Sequence, residues 1–337
     1  MNKEPEPVFI VGSGRSGTTL LKDLMNSNSD IKFPPESHFL LEFYKLFGDP
    51  RNEKEAVGLM RHIRRHYRYK RFGLDIKDAE IKGFRKYNSL IDYIYTRFSC
   101  KYKAKRWGEK TPYYMNYLED IKSLFPSAKF IHIIRDGRDM ALSVIATAWG
   151  PNNVYTAAKY WKEYVEAGIK ARDKLKESYM EVKYEDLLEN PESVLRKITS
   201  FTGLTYSPDM LKLTSLKEDG YIANTRNFFG RNTSHRASDK KIVKRNTGNW
   251  KKKMKESDIK IFNFVAGDLL KKLGYEVPYK NGVLCPGRIK RLYYGVNDFV
   301  FSVFNEITSK DMYLRMVNPD IFPVIRSSKR ILNRKKC

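Results

Sequence analysis

The segment Val8-Phe-Ile-Val11, with the glycine-rich turn Gly12–Gly17 and the helical pattern of residues 18–28 behind it, constrains the fold more than any other feature of the chain. A short, continuous apolar run rich in β-branched residues is the pattern of a strand buried on both faces. Leu20, Leu21, Leu24 and Met25 then recur at helical spacing, so the order is strand, tight turn, helix. A helix entered in this way carries the chain back across the sheet, and the next strand runs parallel to the first. The pattern returns twice. Lys129-Phe-Ile-His-Ile-Ile134 is a second strand, leading through Arg135-Asp-Gly-Arg138 into a helix over about residues 139–148. Tyr179-Met-Glu-Val-Lys-Tyr184 is a third. From Glu185 onward Val194, Leu195, Ile198 and Phe201 keep helical spacing up to a stop at Gly203. These alternations predict an α/β fold with a parallel sheet flanked by helices.

Residues 36–125 read as mostly helical insertions, with basic stretches such as Arg61 to Arg71. Residues 224–255 are polar, basic and aperiodic, as long functional or disordered loops are. An amphipathic helix over 257–273 ends at Gly274, and beyond Pro278 the composition turns basic and aromatic. The expected division is an α/β domain, 1–278, and a basic C-terminal extension, 279–337.

A glycine-rich turn between strand and helix aims backbone N–H groups and the positive end of the helix at an anion. Gly12-Ser-Gly-Arg-Ser-Gly-Thr-Thr19 has the length of a Walker A loop, which makes the expected sheet P-loop NTPase-like. A Walker loop carries Lys straight after its second glycine, to reach a triphosphate. Thr18 stands there instead, and the cationic group lies inside the loop at Arg15. The second strand departs in the same sense. A Walker B strand ends in an Asp that holds Mg²⁺, whereas this one ends in Arg135. A guanidinium at the carboxyl end of a strand suits bidentate phosphate recognition, at the edge where open α/β sheets bind ligands. Taken alone, Arg135, Asp136 and Arg138 also fit a surface ion-pair cluster.

Together these motifs resemble those of sulfotransferases that use 3′-phosphoadenosine 5′-phosphosulfate (PAPS). The Arg15-Ser-Gly-Thr-Thr-Leu20 core is similar to that of the tyrosylprotein and bacterial carbohydrate sulfotransferases. The resemblance implies that Gly14, Arg15, Ser16, Gly17, Thr18 and Thr19 hold the 5′-phosphosulfate, and that Arg135 and Ser143 clasp the 3′-phosphate. Arg138 and Asp139 would be structural. Ser238, Lys244, Arg245, Asn246 and Gly248, in the basic loop before Trp250, resemble the family loop that closes over the nucleotide, and Tyr184 matches a family tyrosine near it. Glu36, 21 residues after Arg15 and stiffened by Pro34 and Pro35, coincides with the catalytic Glu of the tyrosylprotein enzymes. His38 is the competing base. Lys110, in Gly108-Glu-Lys-Thr-Pro112, resembles the lysine that stabilises the transferring group, a duty Arg15 would share. The implied reaction takes PAPS and an acceptor hydroxyl (glycan, lipid or protein tyrosine) to a sulfate ester and adenosine 3′,5′-bisphosphate, without a metal.

A net charge of +25 implies an anionic partner, and a nucleotide accounts for only a few of those basic residues. An anionic membrane surface met by the aromatic, basic tail from Arg288 onward is one candidate; the mixed basic and aromatic run Arg61–Arg71 raises nucleic acid as a weaker one. His62 and His66 stand four apart, but Arg61, Arg64, Arg65 and Arg68 surround them and repel a cation. Three scattered cysteines give no disulfide framework and fit a reducing compartment. With no signal peptide and no apolar stretch long enough to span a bilayer, the expectation is a cytoplasmic protein, soluble or peripheral on a membrane. Two rivals remain at this point: a P-loop kinase or NTPase, and a non-catalytic protein that binds nucleic acid or membrane.

Overall fold

In the computed structural model residues 6–147, 149–211, 247–279 and 285–308 are described. The chain runs β1 (Val8–Val11), α1 (Thr18–Asn26), β2 (Ile31–Lys32), α2 (Phe39–Phe47), α3 (Glu53–Arg65), α4 (Tyr67–Lys70), α5 (Asp78–Ile81) and α6 (Tyr87–Cys100). Next come β3 (Arg106–Lys110), α7 (Leu118–Leu124), β4 (Lys129–Ile134), α8 (Gly137–Ile145), α9 (Val154–Leu175) and β5 (Tyr179–Lys183). The remaining helices are α10 (Tyr184–Glu189), α11 (Pro191–Thr202), α12 (Trp250–Lys253), α13 (Glu256–Lys272) and α14 (Arg288–Thr308).

The five strands form one sheet in the order β2-β3-β1-β4-β5, and every pairing is parallel. Period-two alternation sorts the central side chains. Phe9, Val11, Trp107 and Phe130 face a core shared with α2, α3, α6 and α7, where Phe9 meets Trp107 edge-on at 5.9 Å. Val8, Ile10, Ile131 and Ile133 face the opposite core, built with α1, α10 and α11. Beyond the strands a third cluster joins α8, α9, α12 and α13 around Trp161 and Phe262. Each of these fully buried side chains contributes about 1.5–3 kcal/mol of hydrophobic stabilisation.

β1 and β4 are neighbours whose connections leave in opposite directions, toward β2 and toward β5. Their carboxyl ends therefore open a crevice, the usual ligand site of such sheets. No described helix is long and apolar enough to cross a membrane.

Several boundaries differ from expectation. β3 lies inside the stretch read as helical, because Gly108, Glu109 and Lys110 interrupt its apolar pattern although Glu109 and Lys110 are buried. Tyr184 opens α10 instead of closing a strand, and Trp250–Lys253 is a short helix within the segment read as loop. Part of the C-terminal extension is α14, which docks on the start of α9. Residues 212–246, with Ser238, Lys244, Arg245 and Asn246, lie outside the described residues, as do 309–337.

Candidate active site

The turn from β1 into α1 is shaped by three contacts. Gly17, at φ 97°, ends it in the left-handed region, where a side chain is strained, and a Cβ there would meet the Tyr184 ring at 2.3 Å. The Gly14 N–H donates to the Tyr160 hydroxyl at 2.9 Å, which ties the loop to α9. The Ser13 and Ser16 hydroxyls hydrogen-bond to each other across the turn. Arg15 itself is left-handed, at φ 69°.

α1 has neither a side-chain cap nor an acidic residue in its first turn. Compare α3 and α9, where Asn52 and Asn153 accept from the backbone N–H groups of Glu55 and Thr156. At α1 the first-turn amides and the positive end of the helix are left to face an anion.

Two guanidinium groups converge on this loop. Arg15 Nε donates to the Ser143 hydroxyl at 3.0 Å, and Arg135 donates to the Arg15 carbonyl at 3.1 Å. Burial holds Arg15 below its ordinary pKa, and the neighbouring charge of Arg135 pushes the same way. Two like charges this close, one buried and one half-buried, favour an anion beside them. The Arg135 guanidinium also lies over the Tyr184 ring, 4.7 Å from its centroid, so one aromatic ring supports both Gly17 and Arg135.

Glu36 comes from the arm that follows β2. That arm is held against α1 by Asn26, whose side chain accepts from the Phe33 N–H at 2.8 Å and donates to the Phe33 carbonyl at 3.4 Å. Lys32 bonds the Asn26 and Asn28 carbonyls, both at 2.6 Å. The Glu36 carboxylate then meets Lys110, the His38 ring at 3.3 Å and Arg68 at 3.8 Å. His38 and Glu36 thus form one cluster. Burial, followed by the Arg68 charge, lowers the His38 pKa and favours a neutral ring.

Lys110 ends β3, beside Ile10 in the register, and is almost wholly buried. Its ammonium donates to Thr19 at 3.3 Å as well as to Glu36. Behind it Glu109 is fully buried and accepts from Thr111, Tyr95 and the Ser37 N–H. Burial lifts this carboxyl to about 7, against the downward pull of those bonds.

Gly14, Arg15, Ser16, Gly17, Thr18, Thr19, Glu36, Lys110, Arg135, Ser143 and Tyr184 thus gather at the β1/β4 crevice. Gly248 lies instead by Asp139, in the first turn of α8. Asp139 accepts from the Trp250 N–H at 2.8 Å, and Arg138 is fully buried between Asp136 and the Trp250 ring. Sequence reasoning missed Tyr160, Trp149 and Arg68. Tyr160 sits in an ordinary amphipathic helix, and no motif marks any of the three. Among the described residues no group of three or more metal-ligating side chains gathers.

Residues 7–208 match the model of the sulfotransferase family. The chain is 26% identical over 219 residues to a protein-tyrosine sulfotransferase of Drosophila melanogaster, covering 62% of this chain and 40% of that one. It spans less than half the length of that relative. Nodulation protein NoeE of Sinorhizobium fredii is 25% identical over 308 residues, covering 82% and 68%. Among solved structures, the sulfotransferase domain of the Synechococcus olefin synthase is similar in fold, with a TM-score of 0.57, 19% identity, and coverage of 82% of this chain and 98% of that one.

Proposed function

The chain belongs to the sulfotransferase family, and from that premise we propose that it transfers the sulfuryl group of PAPS to an acceptor hydroxyl by in-line displacement, with Glu36 as general base. The observation that carries this reading is the double contact of Lys110, which touches Thr19 at the phosphate loop and Glu36 beside it. A base, a cation and an anion cradle then share one small volume. Sulfuryl transfer needs all three: something to take the acceptor proton, positive charge at the sulfuryl oxygens, and a hold on the leaving phosphate.

The residues present suit such a donor. A Cβ at Gly14 would come within 2.7 Å of the Trp149 ring, so only glycine lets the loop pack this closely under that ring. Gly17, Thr18 and Thr19 would offer N–H and hydroxyl donors to the phosphosulfate, and Arg15, Arg135 and Ser143 would hold its phosphates. When bound, PAPS supplies an activated sulfuryl group whose leaving group is already an anion. Glu36 accepts the acceptor's proton, and His38 and Arg68 keep the carboxylate oriented. Lys110 exchanges its pairing with Glu36 for the developing negative charge.

A thermal shift with adenosine 3′,5′-bisphosphate, and none with Mg-ATP, separates this reading from a kinase or NTPase. Incubation with labelled PAPS and pools of peptide, glycan and lipid acceptors tests the reaction. Glu36→Ala should lower turnover by about 10²–10⁴ while keeping the nucleotide-induced shift. Full turnover in that variant would remove Glu36 from the role.

A further inference from the structure

α14 is turned inside out relative to a helix of a soluble protein. Arg291, Tyr294, Asp298 and Phe301, at helical spacing, are the partly covered residues and form the docked face. Asp298 accepts from the Asn152 N–H at 2.8 Å, the Asn152 amide donates to the Asn297 carbonyl at 3.3 Å, and Asn153 donates to the Tyr294 carbonyl at 3.2 Å. Tyr155 stacks on Tyr294 at 5.8 Å.

The opposite face is apolar and bare. Ile289 is 87% exposed, Leu292 and Phe299 are each 69% exposed, and Tyr293, Val296 and Val300 complete the stripe. Packing on the domain therefore fixes the helix with its greasy side outward, where it gains nothing from burial. Arg288 and Lys290 flank the stripe, and Lys159 lies by Tyr155 at the dock. The sequence beyond it continues the positive charge, with Lys329, Arg330, Arg334, Lys335 and Lys336. An apolar stripe edged by cations fits the boundary of an anionic bilayer, with the stripe in the acyl region and the cations at the headgroups. A neutral protein groove would leave that charge unused.

The dock also sets where the active site lies. Trp149, 47% exposed and of a type favoured at membrane interfaces, stands against Gly14 of the phosphate loop, only three residues before Asn152. The edge of the crevice and the bare helix thus share one short connection. We propose that α14 lies in the plane of an anionic membrane surface and presents the crevice to a membrane-borne hydroxyl; the second half of this statement rests on the sulfuryl-transfer reading.

The test uses the full chain with vesicles of phosphatidylcholine, alone or mixed with phosphatidylglycerol. Wild type should co-sediment with the mixed vesicles. Leu292→Gln/Val296→Gln/Phe299→Gln, which spares the docked face, should weaken partitioning by about tenfold or more and leave the thermal shift with adenosine 3′,5′-bisphosphate unchanged. Arg288→Glu/Lys290→Glu should weaken binding to the mixed vesicles only. Equal partitioning of wild type and the triple variant overturns the proposal, as does a wild type that stays in the supernatant. A dimer in solution that the triple variant converts to monomers, without vesicle binding, assigns the stripe to a second copy instead. For the acceptor, labelled PAPS is offered with one sugar headgroup either on a vesicle glycolipid or free in solution. Wild type should prefer the vesicle form, and the triple variant should lose the preference. Equal use of both by wild type overturns the membrane-borne acceptor. Vesicle binding without transfer to any acceptor would sink the reaction and leave the docking standing.

Discussion

Gly17→Ala probes the crevice most sharply, because one methyl disturbs both the glycine-rich loop and Arg135, the groups proposed to hold the phosphates. A Cβ at residue 17 would stand 2.3 Å from Cδ2 and 2.6 Å from Cε2 of Tyr184, whereas ordinary contact begins beyond 3.4 Å. Holding an alanine at a φ of 97° costs about 1–2 kcal/mol. Overpacking against the ring adds about 1–3 kcal/mol. The total, about 2–5 kcal/mol, corresponds to a fall in Tm of roughly 3–7 °C for a chain of this size. Tyr184 also lies under the Arg135 guanidinium, so a displaced ring moves Arg135 as well. Affinity for adenosine 3′,5′-bisphosphate should drop by about tenfold or more, equivalent to about 1.4 kcal/mol. Differential scanning fluorimetry with and without that nucleotide reads both effects. Adding Tyr184→Leu should relieve the overpacking part and leave the backbone part, a coupling that a double-mutant cycle isolates. A variant that melts within a degree of wild type and binds the nucleotide equally would refute the account of the turn.

Glu109 gives a prediction in pH. Its carboxyl is raised to about 7 in the folded protein, so the stability tied to its protonated form is complete below the usual carboxylate range and is lost as pH climbs through about 7. At about 1.4 kcal/mol per unit the effect is roughly 3 kcal/mol. Glu109→Gln should flatten the decline in urea-unfolding free energy from about pH 5 to about pH 8, and an unchanged slope would contradict the shift. Arg138→Met leaves the Asp136 carboxylate buried without its partner and removes the stack on Trp250. It should cost about 3–5 kcal/mol in chemical denaturation and spare the nucleotide-induced shift; a loss below about 1 kcal/mol would count against the buried pair.

The strands that build the centre of the sheet were legible because they follow one rule: β1 and β4 are apolar runs with a turn and a helix behind them. β3 was not, since buried Glu109 and Lys110 stand where its pattern calls for hydrophobic residues. The loop could be read as an anion cradle from its glycines between strand and helix, with Thr18 and Arg15 setting it apart from a Walker loop, whereas the roles of Glu36 and Lys110 came only from resemblance and their contact, 74 residues apart in the chain, only from the fold. Tyr160 and Trp149 left no trace in the sequence. An aromatic residue on an amphipathic helix and another in a turn look like packing until the fold brings them to Gly14. The outward apolar stripe of α14 was visible only as a basic, aromatic composition, because which face docks depends on Asn152 and Asn153 far away in the chain.

Helix α1 has a further consequence. Its first turn closes the glycine-rich loop, and Asn26 at its far end clamps the arm that carries Glu36. The nine residues of α1 make a rod about 14 Å long, with β2 returning alongside it. On the proposed function, donor pocket and base are therefore mounted on one lever and shift together when it tilts. Segments that shape the acceptor side can be lengthened, shortened or exchanged without altering the separation between the two. Such a layout would let the choice of acceptor drift while the proposed transfer machinery stays in register.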